Sequence, residues 1–173
     1  AYGYSRAQQP LYRSSAQLYV MPARPDYGNA LFVTTIVRQY SQLVSSDNFL
    51  KSTNDTLGLD LPLPVLKERV HTSGTADNQL IQIEVDDPHP AQAQAIAKAL
   101  ALRFIEDQTV RMENISRDNR IDVRMYDDPL PGVLEYPKTR VNVVAGAVLG
   151  LLLGGMVALL LEFLDDTIKT NED

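Results

Sequence analysis

The stretch VNVVAGAVLGLLLGGMVALLL, residues 141–161, decides how the rest of the chain is organised. Its only polar side chain is Asn142. At roughly 1.5 Å per residue, a helix of this length spans about 30 Å, the thickness of the hydrocarbon core of a bilayer. The alternative is a buried helix of a soluble domain. Such a helix normally carries a polar face, and no charged residue appears here before Glu162. The stretch therefore predicts a transmembrane helix.

A ladder of small residues runs along this predicted helix. Gly146, Gly150 and Gly154 repeat every four residues, with Asn142 before them and Ala158 after them in the same register. Four residues turn a helix by about 400°, so each step drifts by only about 40°. Glycine is common in membrane helices, which is the plainer explanation. Because small residues let two backbones approach closely in lipid, we expect these five residues to pack against a copy of the chain or another span.

The composition narrows the class of protein. The chain has 173 residues, of which 45% are hydrophobic, enough for one globular domain before the span. It contains no cysteine, so neither a disulfide nor a thiolate nucleophile is available. The formal net charge is −6 and no basic stripe is present. We therefore expect no nucleic-acid binding.

Charge alone leaves the orientation of the predicted span ambiguous. Lys138 and Arg140 precede it and Lys169 follows it. Taken literally, the positive-inside rule places the large domain in the cytoplasm, by a small margin. Residue 1 is Ala1 and no signal peptide is visible, so we expect that a segment before it has been removed or left out of this sequence.

The region before the span mixes strand and helix patterns. Four segments alternate apolar and polar residues, which is typical of half-buried strands: 11–21, 69–75, 78–86 and 121–126. Three segments have helical spacing: 29–57, 65–68 and 91–116. These patterns predict an α+β fold, a small mixed sheet with helices on one face, followed by a C-terminal transmembrane helix.

Helix ends and faces can be assigned in part. Ser46 and Asp47 are suited to cap a second helix within 29–57, and Gly58 is suited to end it. Asp86 or Asp87 is expected to cap the long helix, with Pro88 early in it. The predicted buried stripe of that helix consists of apolar side chains: Ile96, Leu100 and Phe104, with Ala99, Leu102 and Ile105 beside them.

A search for catalytic chemistry finds little. The histidines, His71 and His89, lie 18 residues apart and lack the i, i+4 partner of a helical metal site. Asp86 and Asp87 could touch a cation, but helix capping explains them better. Nucleotide-binding glycine loops are absent, and no carboxylate pair stands out for acid–base work. We expect no catalytic residue, no cofactor and no resident metal, and hence an interaction or scaffold role.

Four segments, in this order and spacing, carry a resemblance to a known family. They are LYRSSAQLYVMP (11–22), LIQIEVDDPHPAQAQAIAKALALRFIED (80–107), DVRMYDDPLPGVLEYPKTRVNVVAGAVLGLLLGGMVALLLEFLDD (122–166) and LEFLDDTIKTNED (161–173). Together they resemble the chain-length-determinant (Wzz) family of bacterial polysaccharide co-polymerases. Lys98 stands where the family often has asparagine, a small departure.

The resemblance implies a membrane protein with two spans, the first of which precedes Ala1. It implies both termini in the cytoplasm and an extracytoplasmic domain on the bacterial plasma (inner) membrane. Its members form homo-oligomers that regulate polysaccharide chain length or export, so the implied partners are the lipid bilayer, copies of the chain, and polymerase or export machinery. The expected regions are an extracytoplasmic α+β domain, a proline-rich connector, the transmembrane helix and a cytoplasmic tail: 1–128, 129–140, 141–164 and 165–173.

Two other functions remain open. Short members of the family modulate bacterial tyrosine kinases, and a chain of this type could act as a membrane adaptor whose working part is the tail at 163–173. The chain could also be an accessory structural subunit of another membrane complex, because a shared fold does not guarantee a shared function.

Overall fold

The structure, a computed structural model, describes residues 9–23, 27–75 and 77–164. The predicted tail at 165–173 and most of the N-terminal connector lie outside the described residues. The elements follow in the order β1 (Leu11–Pro22), α1 (Tyr27–Val44), α2 (Asp47–Leu57), α3 (Leu63–Arg69), β2 (Val70–Thr75), β3 (Leu80–Asp87), α4 (Pro90–Met112), β4 (Ile121–Asp127), β5 (Val133–Tyr136) and α5 (Thr139–Leu164).

Contacts divide the chain into two compact units. Pro10–Glu135 forms the first unit and holds nearly all of the sheet together with α1 to α4. The second contains the remaining described residues, 9 and 136–164, and consists mainly of α5.

The sheet is built around β1. Its strand order is β2-β3-β1-β4, and β5 also pairs with β1. The β1–β3 pair is antiparallel, with Ala16 opposite Ile83. The β1–β4 pair is antiparallel with Val20 opposite Val123, and the β2–β3 pair is antiparallel as well. The α+β class with a C-terminal apolar helix is thus confirmed.

The predicted mixed sheet is corrected to an antiparallel one. Helix α4 joins β3 to β4, and a β-α-β order in sequence usually indicates neighbouring parallel strands. Here β1 lies between β3 and β4 and runs antiparallel to both. The two strands that the helix connects are therefore parallel in direction but not neighbours, so no parallel pair forms.

One face of the sheet carries the core. On β1, Ala16, Leu18 and Val20 are buried and alternate with partly exposed residues, as the sequence predicts. Helix α4 packs against β1, β3 and β4, while α1 packs against β2. A Cβ atom added to Gly74 of β2 would lie 2.7 Å from Val37 Cγ1 of α1. The absence of a side chain at Gly74 therefore allows α1 to lie close to the sheet.

The long helix α4 confirms its predicted stripe except at Leu102, and Ile105 is partly buried against the core beside it. Ile96, Leu100 and Phe104 are buried, but Leu102 is 50% exposed. Two residues turn a helix by about 200°, which places Leu102 on the side opposite Leu100. Small residues fill the flanks of the stripe instead, because the helix lies close to the sheet: Ala93, Ala97 and Ala101.

Two predicted helix ends are confirmed. Ser46 is the N-cap of α2, and its hydroxyl accepts a hydrogen bond from the Phe49 backbone N–H at 3.4 Å. Gly58 follows the last turn with a φ of 58°, the left-handed conformation that glycine adopts without a steric cost.

The proline-rich connector contains a strand that the sequence analysis did not assign. β5 pairs with β1. The opposite edge of β1 is occupied by β3 from Tyr12 to Tyr19. The edge on the β4 side is paired with β4 only from Gln17 onward. The first part of that edge is therefore the part left for β5.

Candidate membrane helix and charged sheet face

Helix α5 is the most apolar element of the described chain. The most apolar part of its segment Arg140–Leu164 has a mean hydropathy of 2.5 and contains no buried residue. Length and composition suit a membrane crossing. Lipid tails would cover these side chains, whereas water would leave a continuous apolar surface exposed.

The five predicted packing residues all lie on α5. Asn142 is partly exposed, and Gly146, Gly150, Gly154 and Ala158 are exposed. A Cβ atom added at Gly150 or Gly154 would have no neighbour within 4 Å. Space for a second helix is therefore open at these positions, and their role in packing stays a prediction.

The face of the sheet away from the helices carries an ion cluster centred on Arg13 of β1. Arg13 Nε and Nη2 donate to the two carboxylate oxygens of Asp86 on β3, both at 2.7 Å. Arg13 Nη1 lies 3.3 Å from Glu84 Oε2 and 3.7 Å from Glu135 Oε1 on β5. The guanidinium thus joins β1 to β3 and to β5 through charge-assisted contacts.

The cluster shifts the pKa of Asp86 and of Arg13. Burial alone would raise the pKa of Asp86, but the hydrogen bonds and charge of Arg13, with a smaller contribution from His71, hold that pKa below its usual range. The hydrogen bond to Asp86 raises the pKa of Arg13, in spite of its partial burial. The Arg13–Asp86 pair is therefore fully ionised at neutral pH.

Asp87 has a different role from the one predicted. The N-cap of α4 is His89, whose side chain makes no capping bond, and the helix begins at Pro90 rather than near Pro88. The Asp87 carboxylate is 1% exposed and accepts from Arg69 Nη1 at 2.7 Å and from the His89 backbone N–H at 2.8 Å. The Asp87 carboxylate therefore links the turn before α4 to Arg69 at the end of α3.

The two histidines lie beside different carboxylates. His71 Nε2 lies 3.4 Å from Asp86 Oδ2, and His89 Nδ1 lies 3.5 Å from Asp87 Oδ1. Across residues 9–23, 27–75 and 77–164, no three His, Asp or Glu side chains converge as a metal site would require.

The ion cluster borders an open groove between β1, the end of β4 and the connector. The groove has a volume of about 510 Å³. Its lining includes polar residues of β1 and β4 and apolar residues of the connector: Arg13, Ser15, Gln17, Asp127, Leu130 and Val133. This lining lacks histidine and cysteine, so it offers no thiol or Ser–His nucleophile.

Sequence reasoning missed the Arg13 cluster. Arg13 lies 73 residues from Asp86 and 122 from Glu135 in sequence. The available signal was the alternation of β1, which places Arg13 on the face opposite Ala16. The identity of its partners follows only from strand register, which a single sequence does not reveal.

Comparison with known proteins finds relatives that match nearly the whole chain. It is 27% identical over 173 residues to a probable capsular polysaccharide biosynthesis protein, YwqC, of Bacillus subtilis, covering 96% of this chain and 68% of the relative. It is 25% identical over 180 residues to the capsular polysaccharide biosynthesis protein CpsC of Streptococcus agalactiae, covering 95% and 71%. The CpsC protein of Streptococcus pneumoniae is 24% identical over 174 residues, covering 95% and 72%. No family model matches the chain.

These similarities confirm the resemblance that the sequence indicates. They extend over both the α+β domain and the apolar helix, since they cover about 95% of the chain. They support a role in polysaccharide biosynthesis.

Proposed function

We propose that this homologue of capsular polysaccharide biosynthesis proteins, similar to the chain-length-determinant family, is a non-catalytic oligomeric membrane scaffold that regulates polysaccharide chain length or export. The observation that carries the proposal is the similarity along about 95% of the chain to proteins of capsular polysaccharide biosynthesis. A match of this extent includes the folded domain and the apolar helix together.

The membrane placement rests on α5. Its large apolar side chains are exposed; Leu151, for example, is 77% exposed and Leu159 is 69% exposed. Burying such surface in lipid is favourable by roughly 25 cal/mol per Å². We propose that α5 crosses the bacterial plasma membrane and that the α+β domain lies on the extracytoplasmic side. The resemblance supports this orientation, whereas the charges flanking the span weakly oppose it.

The oligomeric state rests on the small-residue ladder of α5. Asn142, Gly146, Gly150, Gly154 and Ala158 leave room for close backbone contact. We propose that copies of the chain associate partly through this surface. In the assembly, the domains would meet the polymerase or export machinery that handles the growing polymer.

The scaffold role is favoured over catalysis by the chemistry of the domain. Among the described residues, the buried carboxylates are Asp86 and Asp87, and they pair with Arg13 and Arg69. A carboxylate that is hydrogen-bonded to an arginine is poorly placed to transfer a proton to a substrate.

The length distribution of the surface polysaccharide in the native host tests this function. Deletion of the gene should abolish the modal length or the polymer itself on a gel, and the intact gene should restore it. A variant with leucine at Gly146, Gly150 and Gly154 should restore it poorly, while Gly155→Leu, a control on the same helix outside the ladder, should restore it well. An unchanged distribution after deletion would refute the proposed function and favour an accessory role in another complex.

A further inference from the structure

The connector between the sheet and α5 exposes an unusual set of apolar side chains. Leu130 is 75% exposed, Val133 is 74% exposed and Leu134 is 53% exposed. We call residues 130–134 the apolar turn. Single exposed apolar residues are common on protein surfaces, but three within five residues form a patch that suits an apolar partner.

The backbone of the apolar turn is held to the domain, so its side chains are presented in a fixed way. Ser14 Oγ donates to the Leu130 carbonyl at 2.6 Å, and Gln94 Nε2 donates to the Pro129 carbonyl at 2.6 Å. The Gly132 N–H donates to the Pro90 carbonyl at 3.0 Å. Strand β1 and the first turns of α4 therefore anchor the turn from beneath.

These bonds also leave few backbone polar groups for water to satisfy. Pro129 and Pro131 have no N–H, and the Gly132 N–H and the carbonyls of Pro129 and Leu130 are paired within the domain. Non-helical backbone is costly in or near hydrocarbon unless its polar groups are satisfied by protein. This turn meets much of that requirement, which an ordinary surface loop does not.

The sequence that follows the turn matches the membrane interface in composition. Tyr136, Lys138 and Arg140 come next, and Lys138 Nζ lies 6.0 Å from the centre of the Tyr136 ring. Tyrosine is enriched at both membrane–water interfaces, and interfacial Lys and Arg side chains act as anchors of a spanning helix. Five residues separate Leu134 from Arg140, a connection of about 20 Å at full extension.

We infer that the apolar turn inserts its side chains into the headgroup region of the membrane that α5 crosses, as a second lipid contact made by the folded domain. The inference rests on the membrane placement of α5 under the proposed function. The partner is the lipid surface itself. Such a contact would fix the height and tilt of the domain above the bilayer, because the turn is anchored to both β1 and α4.

Tryptophan fluorescence tests this contact cleanly, since the chain contains no tryptophan. Leu130→Trp and Val133→Trp each place one reporter on the turn of the full chain in phospholipid vesicles. Ile115→Trp is the matched control, because Ile115 is 36% exposed and follows the far end of α4, a helix of about 34 Å. Leu152→Trp reports on α5. Each variant is measured in ordinary phosphatidylcholine and in its brominated form, which quenches nearby tryptophan.

The expected result is a blue-shifted emission for Leu130→Trp and Val133→Trp and a loss of most of their intensity in brominated lipid. Leu152→Trp should lose intensity as well, and Ile115→Trp should lose none. Blue-shifted but unquenched turn variants would overturn the inference, since protein, for example a second copy, would then cover the turn. Emission like that of Ile115→Trp would overturn it too, by showing water there.

The Leu152→Trp variant distinguishes a failure of this inference from a failure of the proposed function. If Leu152→Trp is quenched and the turn variants are not, the lipid contact alone is refuted and the scaffold proposal stands. If Leu152→Trp is unquenched, the membrane placement fails and the lipid contact fails with it.

Discussion

Two helices of similar length meet opposite surroundings in this molecule. α4 has 23 residues and α5 has 26. α4 carries polar and charged residues as well as apolar ones. Its buried residues share one stripe: Ala93, Ile96, Ala97, Leu100, Ala101, Phe104 and Gln108. α5 is apolar on all sides, and the most apolar part of it contains no residue that is buried within the structure. The arrangement of apolar residues around a helix, more than their number, therefore indicates whether the helix packs against a protein core or is surrounded by lipid.

The same truncation in both helices tests whether only α4 contributes to the stability of the domain. Leu100→Ala, at a site with 0% exposure, should reduce the free energy of unfolding of the domain by about 2–5 kcal/mol, since it leaves a cavity. Leu152→Ala, at a site with 64% exposure, should change it by less than about 0.5 kcal/mol. Urea denaturation in detergent, followed by circular dichroism, measures both. Equal losses would mean that α5 packs into the domain.

Glycines provide the reverse change, from small to large. Gly74→Ala should destabilise the domain by about 1–3 kcal/mol, since its Cβ would lie 2.7 Å from Val37 Cγ1 and 3.1 Å from the Val37 carbonyl oxygen. Gly150→Ala has no neighbour within 4 Å and should leave domain unfolding unchanged. Thermal denaturation of the two variants gives the comparison. A neutral Gly74→Ala would show that α1 does not lie against β2 as described.

The ion cluster should make the free energy of unfolding of the domain decrease at acid pH. Arg13→Met should cost about 1–3 kcal/mol at neutral pH, because it leaves Asp86 without its bidentate partner. The folded-state pKa of Asp86 is below its unfolded value. The contribution of Asp86 to the free energy of unfolding is therefore complete above its pKa in the unfolded state. It is lost as the pH falls through its pKa in the folded state. The difference between the variant and the unaltered protein should shrink on acidification.

Urea midpoints from neutral to acid pH measure this effect. Arg103→Met is the control, since Arg103 pairs with Glu106 at 3.3 Å on the surface of α4, where an ion pair contributes about 0–1 kcal/mol. A pH-independent loss in the Arg13→Met variant would contradict the assignment of the acid sensitivity to Asp86.

The smallest expected effect concerns association through α5. Gly154→Leu should weaken the oligomer by about 1–2 kcal/mol, since leucine would keep a second backbone at a distance. Gly155→Leu is the same change one residue along the helix, about 100° around the helix axis from Gly154, and should leave the oligomer intact. Cross-linking and light scattering in detergent report the oligomer size. If both variants behave alike, the ladder has no special role.

Local pattern predicted most of the domain correctly. The strands β1, β3 and β4 and the helix α4 follow from alternation and helical spacing, and the buried residues Leu18, Ile83 and Phe104 lie on the faces that were expected. These features depend on neighbours in sequence, which a single chain displays.

What could not be predicted depends on strand pairing. β5 carries two exposed apolar residues between prolines and becomes a strand only because the edge of β1 is open there. The antiparallel sheet arises because β1, from the start of the chain, lies between β3 and β4. Arg13 meets Asp86 and Glu135 through the same long-range register.

The most direct test of the account is thiol labelling, because the chain contains no cysteine. Leu102 and Leu152 are 50% and 64% exposed, so the protein itself covers the thiol of neither Leu102→Cys nor Leu152→Cys. We expect a membrane-impermeant maleimide to label Leu102→Cys in intact cells and to leave Leu152→Cys unlabelled even after permeabilisation, since lipid surrounds it. Rapid labelling of Leu152→Cys, or labelling of Leu102→Cys only after permeabilisation, would contradict it.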